Sequence, residues 1–120
     1  SYLVRGIMNI IFHSSSQETA TGNSSANIEP GLKLKTLVVS VSAITPGILG
    51  NVVIKVQHSP DGTNWFVVPN LSTSNLTIAG SVTIAITDDS FAAADYTRLV
   101  WTFNGTASAI TFFAFVTGEK

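Results

Sequence analysis

The segment His58-Ser59-Pro60-Asp61-Gly62-Thr63-Asn64-Trp65 lies between two apolar runs, and its composition suits a tight reversal of the chain. Pro60 fixes φ at the second turn position, Asp61 tolerates the third, and Gly62 suits the fourth. The residues on either side are rich in Val and Ile, which favour strands. The segment therefore predicts that residues 52–68 form one β-hairpin, with Pro60, Asp61 and Gly62 as its structural turn.

Alternation of apolar and polar residues predicts further strands after this hairpin. Residues 76–87 alternate almost completely, and Gly80 in their middle indicates a bulge, a bend or a break into two strands. Residues 96–103 alternate again and run into Asn104-Gly105, a strong signal for a two-residue hairpin. The apolar positions predict a shared core, made of Leu76, Ile78, Val82, Ile84, Ile86, Leu99, Trp101, Phe103, Phe112 and Val116.

The front half of the chain is less regular. Residues 2–12 and 33–41 are strand-like, and the second of these runs changes parity near Thr36, which indicates a bulge. Residues 13–30 contain almost no apolar bulk and predict an exposed excursion. Residues 88–95 predict another loop, with space for one helical turn at residues 91–94.

These elements predict an all-β fold of seven to eight strands, a single antiparallel β-sandwich of immunoglobulin-like or jelly-roll type. The 120 residues fit one domain, residues 1–120, since domains most often contain about 100–150 residues. Residues 1–28 have two interpretations. They form an N-terminal arm plus an exposed polar excursion, or an ordinary first strand followed by a loop. In the first case the expected assembly contacts are Tyr2, Leu3, Val4 and Ile7.

Charge and cysteine content exclude several classes of function. Charged residues make up 11% of the chain, against about 25% in an average soluble domain, and the net charge is -1, which favours self-association. The Lys and Arg residues are scattered, so no nucleic-acid footprint is visible. No apolar run reaches the roughly 20 residues of a membrane-spanning helix, and no secretory signal is recognisable. Without cysteine, neither disulfides nor cysteine-bound metals form.

Side chains with catalytic potential do not form a recognisable set. His13 and His58 have no acidic residue at metal-ligand spacing, so both are expected in exposed turns. Asp88, Asp89 and Asp95 offer oxygens for calcium but match no calcium-loop pattern, which favours a turn and cap. We therefore expect no enzymatic activity, no catalytic residues, no cofactor and no bound metal.

Exposed aromatic rings would support a different function, because sugars stack on them. Trp65 and Tyr96 are the candidates for such a carbohydrate-binding platform. Neighbouring residues of a strand point to opposite faces, so Trp65 and Phe66 cannot both be exposed on one face. Aromatic rings are also the main core material of small sandwiches. The solvent exposure of Trp65 and Tyr96 separates the two interpretations.

Two stretches carry a family resemblance. VVIKVQHSPDGTNWFVV at residues 52–68 and DYTRLVWTFNGTASAITFFAFV at residues 95–116 resemble β-sandwich structural proteins of tailed bacteriophages, particularly head decoration or cement proteins. The first stretch is also similar to discoidin-type sugar-binding sandwiches, from which this chain differs by its shortness and its lack of cysteine.

The phage resemblance implies a non-enzymatic virion protein on the capsid exterior that binds the major capsid protein or other virion subunits and bridges capsomers. Self-association, without nucleic acid or membrane, belongs to the same expectation. The alternatives are a carbohydrate-binding module for adhesion or receptor binding, and a tail-tube or fibre-base structural protein.

Overall fold

The computed structural model describes residues 6–86 and 90–120. These residues form ten β-strands and no helix. The strands are β1 (Ile7–Glu18), β2 (Gly22–Asn23), β3 (Asn27–Ile28), β4 (Lys33–Thr45), β5 (Asn51–Ser59), β6 (Phe66–Ser72), β7 (Gly80–Ala85), β8 (Phe91–Ala92), β9 (Tyr96–Asn104) and β10 (Ala109–Glu119). The expected number of seven to eight strands is therefore wrong. The strands β2, β3 and β8 contain only two residues each, too few for alternation to show in a sequence.

The strands form two antiparallel sheets of five strands each. The first sheet has the order β1-β10-β4-β7, with β8 also paired to β4. The second sheet has the order β2-β9-β5-β6, with β3 also paired to β9. The all-β, antiparallel prediction is confirmed, and the arrangement is that of a sandwich.

The core lies between the two sheets. Trp101 of β9 and Phe112 of β10 face each other from opposite sheets, with ring centroids 5.7 Å apart. Among the predicted core residues, Leu76, Leu99, Trp101, Phe112 and Val116 are buried, while Val82, Ile84, Ile86 and Phe103 are half-buried against the core. Buried residues at alternating positions of β4, β5 and β10 complete it, among them Leu34, Leu37, Val39, Val52, Ile54, Val56, Ile110 and Ala114.

Ile78 is a wrong core prediction, because its side chain is 77% exposed. The chain breaks on either side of it. Leu76 still pairs with Val52 in the second sheet, whereas β7 begins at Gly80 in the first sheet. Ile78 therefore lies where the chain crosses between the sheets, and alternation along a single strand no longer decides which way it points.

The hairpin expected at Asn104-Gly105 is also wrong. The chain does turn there, and the Ala107 N–H donates to the Asn104 carbonyl at 3.3 Å. However, β9 belongs to the second sheet and β10 to the first, so the turn joins two sheets. The reason is that the buried faces of β9 and β10 point toward each other across the core. A turn signal shows where a chain reverses, but not which strand becomes its neighbour.

Three predictions about the remaining segments are settled by strand pairing. The bulge near Thr36 is confirmed, since the β4–β10 register skips Lys35 between Leu34 and Thr36. The helical turn at residues 91–94 is wrong, because Phe91 pairs with Leu34 as part of β8. The exposed excursion of residues 13–30 is wrong in part. It contains the second half of β1 together with β2 and β3, all of which pair with other strands.

Candidate interaction surfaces

The turn Pro60-Asp61-Gly62 lies in the connection between β5 and β6, which pair antiparallel. One Asp61 carboxylate oxygen accepts the backbone N–H groups of Thr63 and Asn64, each at 2.9 Å. These bonds, with further donation from Asn64 and Ser59 side chains, hold the pKa of Asp61 well below its ordinary value. Gly62 has φ +77°, a conformation that L side chains rarely adopt. The carboxylate of Asp61 thus serves the turn itself.

The two candidate platform aromatics are both half-buried. The guanidinium of Arg98 lies 4.2 Å from the centroid of the Trp65 ring, a cation–π contact that covers one face. Arg98 is itself held by Gln57, whose Oε1 accepts its Nε–H at 2.9 Å. The Tyr96 ring packs beside Gly62. One face of Trp65 is covered and Tyr96 is half-buried, so this geometry does not favour a carbohydrate platform.

His13 is buried rather than exposed, which corrects the expectation for this residue. It lies in β1, where its ring stacks on Phe112 with centroids 3.8 Å apart. Its Nδ1 is 2.9 Å from the Phe112 carbonyl oxygen, and its Nε2 is 3.3 Å from Glu18 Oε1. A register shift in β1 at this point turns the side chain inward. The three serines after His13 gave no sign of this burial, and an inward bulge leaves no periodic signal in the sequence.

His58 is half-buried in β5 and not in a turn, so its predicted exposure is also wrong. The Ala94 N–H donates to its Nδ1 at 3.0 Å, and the ring meets Phe91 edge to face at 4.9 Å. Burial lowers the pKa of His58 below its ordinary value. A neutral ring that accepts a backbone N–H is a structural arrangement, and it links β5 to the segment after β8.

Acidic side chains do not gather into a metal site in the part of the chain that the structure describes, where no group of three or more His, Asp or Glu is close enough to bind an ion. Asp88 and Asp89, two of the calcium candidates, lie outside the described residues. Asp95 is exposed, and its backbone carbonyl accepts the Glu29 N–H at 2.8 Å. The residues that the structure describes also form no helix that is long and apolar enough to cross a membrane.

Of the candidate assembly contacts, Tyr2, Leu3 and Val4 lie outside the described residues, and only Ile7 is placed. Ile7 opens β1 and is 82% exposed. From Ile7 onward β1 pairs with β10 of the same chain, beginning with Ile7 opposite Glu119. Residues 7–18 therefore complete the first sheet as an edge strand.

Three strongly exposed apolar side chains lie near one end of the sandwich, which the sequence interpretation missed. Ile48 and Leu49 lie at the end of the sandwich, in the connection between β4 and β5, and are 96% and 82% exposed. Ile78 is exposed in the connection that crosses between the sheets near the same end. The sequence signal was present in Pro46-Gly47-Ile48-Leu49-Gly50, where two bulky apolar residues stand between turn glycines.

Charge divides the molecule along its length. One end, which we call the neutral end, is formed by residues 18–22, 43–53, 74–80 and 102–111. Glu18 is the one charged residue in these ranges, and it contacts His13. We call charged end the opposite part, where Lys35 contacts Glu119 at 3.5 Å and Lys120 contacts Glu29 at 2.8 Å. Among the described residues, the charged end also holds Lys33, Asp61, Asp95 and Arg98. The exposed apolar side chains of Ile48, Leu49 and Ile78 thus stand on an almost uncharged surface.

A second apolar surface lies on the outer face of the first sheet. The even-numbered residues of β10 point into the core, so Phe113 and Phe115 point outward and are half-buried. Their ring centroids are 6.0 Å apart. Together with Asn9 and Ile11 of the edge strand β1 they line a shallow depression of about 220 Å³, which we call the outer depression. Phe113 and Phe115 therefore make the outward face of β10 apolar, in addition to its buried face.

Comparison with solved structures finds a chain of similar fold. No family model and no curated protein sequence matches the chain. A chain in the capsid of Ralstonia phage GP4 is 14% identical, with a TM-score of 0.50, and the match covers 96% of this chain and 81% of that chain. The fold is similar to that of a phage capsid chain. The SPBc2 prophage-derived protein YomS is 13% identical, with a TM-score of 0.46 and coverage of 98% and 97%.

Proposed function

We propose that this chain is a non-enzymatic structural protein of a tailed-bacteriophage virion, and that it decorates the outer surface of the head. The observation that carries the proposal is the fold likeness to a chain in the capsid of Ralstonia phage GP4, which extends over 96% of this chain. The sequence patterns at residues 52–68 and 95–116 point to the same class of protein independently of that likeness.

The surface chemistry supports a role in assembly. A rigid sandwich with two exposed apolar surfaces and few charges can add buried area between neighbouring subunits without desolvating many ions. Each bound copy would join capsomer edges that otherwise rest on smaller contacts. Stable protein interfaces bury about 1,200–2,000 Å² in total, and the molecule has extents of 57 × 29 × 24 Å over which such contacts can be distributed.

The described side chains support no catalytic alternative. The two histidines are engaged in packing with Phe112 and Phe91, and the low pKa of Asp61 follows from hydrogen bonds within its own turn. Perturbed titratable groups mark active sites only when they converge on a cleft. His13, His58 and Asp61 lie on separate elements and do not converge.

The test uses virions of the phage whose genome encodes the chain. Antibodies raised against the chain should label the heads of purified particles in electron microscopy. Heads stripped of the chain should lose thermal stability and recover it when the purified chain is added back, while separately purified tails should not bind it. Labelling restricted to tails would favour the tail-tube or fibre-base alternative. Complete particles that lack the chain would contradict a virion role altogether.

A further inference from the structure

The loop at residues 46–50, which we call the tip loop, exposes two neighbouring aliphatic side chains to an unusual degree. Ile48 and Leu49 are 96% and 82% exposed to solvent. Single exposed apolar residues are common on protein surfaces, but adjacent ones at the tip of a loop form a compact apolar projection. Such a projection gains free energy when an apolar surface covers it.

The tip loop is held in position before any partner arrives. The Thr106 hydroxyl donates to the Pro46 carbonyl oxygen at 2.9 Å and accepts the Leu49 N–H at 3.2 Å. Gly50 is buried, and a Cβ atom there would overlap the Pro46 carbonyl oxygen and the Ala107 backbone nitrogen. Because these contacts fix the loop, binding through Ile48 and Leu49 does not need to order a flexible segment.

The surroundings of the tip loop favour a protein surface over a lipid surface. Loops that enter membranes usually carry Lys or Arg for anionic headgroups, and Trp or Tyr at the interface. Residues 43–53, 74–80 and 105–111 contain none of these four residue types. A partner of matching chemistry is an uncharged, apolar concavity in a protein.

The chain itself carries such a concavity. The outer depression is lined by Asn9, Ile11, Phe113 and Phe115, and it has a volume of about 220 Å³. It is uncharged, like the tip loop, so contact between them leaves no ion without a partner. The net charge of -1 adds little repulsion between copies.

We propose that the tip loop of one copy docks into the outer depression of a second copy, with Ile48 and Leu49 as the inserted side chains. The two surfaces occupy different places on the molecule, one at an end and one on a sheet face. The contact is therefore heterologous, and each copy keeps one free donor and one free acceptor surface. The interface is small, so association is weak and depends on concentration. This contact is between copies of the chain and does not depend on binding to a phage head.

Sedimentation velocity of the full chain, over about 10 µM to 1 mM, covers the range of weak interfaces. The average mass should rise with concentration. Ile48→Ser with Leu49→Ser, which removes the donor, should weaken association by at least about tenfold, as loss of a central apolar contact does. Ile11→Lys, which places a charge in the acceptor, should do the same, and Asn9→Lys provides a second acceptor variant. Ile28→Ser is the matched control, since Ile28 is also exposed but lies at the charged end.

A mixing experiment tests the heterologous geometry directly. The donor variant keeps its outer depression and the Ile11→Lys variant keeps its tip loop, so an equimolar mixture should form a dimer that neither forms alone. Circular dichroism checks that each variant is folded. A wild-type chain that stays monomeric, a donor variant that associates like wild type, or a mixture without the dimer would each overturn the proposal. Binding of a monomeric wild-type chain to phosphatidylglycerol vesicles, lost in the donor variant, would also overturn it, in favour of a lipid surface.

Discussion

The side chain of Thr106 joins two loops that are far apart in the sequence, because its hydroxyl donates to the Pro46 carbonyl oxygen and accepts the Leu49 N–H. The first loop connects β4 to β5 and the second connects β9 to β10, so each of them crosses from one sheet to the other. The hydrogen bonds between these two loops connect the two sheets at one end of the sandwich. They also determine how Ile48 and Leu49 are presented to solvent.

Replacing Thr106 by Val is expected to loosen this end of the molecule. The substitution keeps the shape of the side chain but removes both hydrogen bonds, which contribute about 0.5–1.5 kcal/mol each to stability. The free energy of unfolding in urea should fall by an amount of that order, and the Leu49 amide should exchange faster with deuterium. Thr106→Ser, which retains the hydroxyl, is the control. Equal protection of the Leu49 amide in both variants would refute the role of this hydroxyl.

Truncating Trp101 is expected to be among the most destabilising substitutions. The indole is buried, contacts Phe112 and His13 edge to face, and donates its Nε1–H to the Ala20 carbonyl oxygen at 3.1 Å. Trp101→Ala should lower the free energy of unfolding by about 3–5 kcal/mol, as large aromatic truncations in cores do. Trp101→Phe should cost less because it keeps most of the apolar volume. Urea unfolding followed by far-UV circular dichroism measures both, and a loss below about 1 kcal/mol for Trp101→Ala would contradict the core assignment.

Alternation alone was sufficient to predict which faces of β9 and β10 are buried, because Leu99, Trp101, Phe112 and Val116 keep a strict period of two. The same signal failed at His13 and Ile78. His13 turns inward at a register shift, and Ile78 lies where the chain leaves one sheet for the other. Alternation describes a residue relative to its own strand, and neither position follows a regular strand.

The sequence also did not predict that β9 and β10 belong to different sheets. Asn104-Gly105 marks a turn, but the partner of each strand is chosen by packing of the whole core. The exposed surfaces were harder still to predict. The sequence does not distinguish Ile48 and Leu49 from apolar core residues. Their exposure follows from the contacts of Thr106 and Gly50, which hold the loop outside the core.

Gly62 provides a test of the hairpin turn. Its φ of +77° favours glycine, and a Cβ atom would approach the Tyr96 ring closely. Gly62→Val should destabilise the fold by about 1 kcal/mol, because a β-branched residue is strained in this conformation. Gly62→Asn should be better tolerated, since Asn adopts positive φ more readily. Thermal unfolding of the two variants gives the comparison, and a higher Tm for the Val variant than for the Asn variant would disprove the argument.

His58 should make stability depend on pH. Burial holds its pKa in the folded chain below the ordinary value of 6.5, so the unfolded chain binds a proton more readily. The contribution of His58 is present in full above that value and is lost as pH falls from 6.5 toward the lower folded pKa. Protonation of Nδ1 would also remove the acceptor of the Ala94 N–H.

The measurement is the free energy of unfolding in urea at pH 7.5 and 5.5, for the wild type and for His58→Gln. The stability of the wild type relative to the variant should be lower at pH 5.5 than at pH 7.5. Using this difference cancels the titration of other groups. The same difference at both pH values would remove His58 as the cause.

The last prediction concerns β1 and separates the two interpretations of the N-terminal segment. Strand β1 covers one edge of β10 along most of its length, and its His13 ring stacks on Phe112 in the core. A chain that lacks residues 1–18 would expose that edge and leave Phe112 without its stacking partner. We expect it to aggregate or to lose cooperative thermal unfolding, because an uncovered edge beside apolar side chains is a site for pairing with other chains. Ile7→Ser, at the exposed start of β1, should unfold like wild type and serves as the control. A truncated chain that remains monomeric in sedimentation and unfolds cooperatively would show that β1 is dispensable for the domain, as an assembly arm would be.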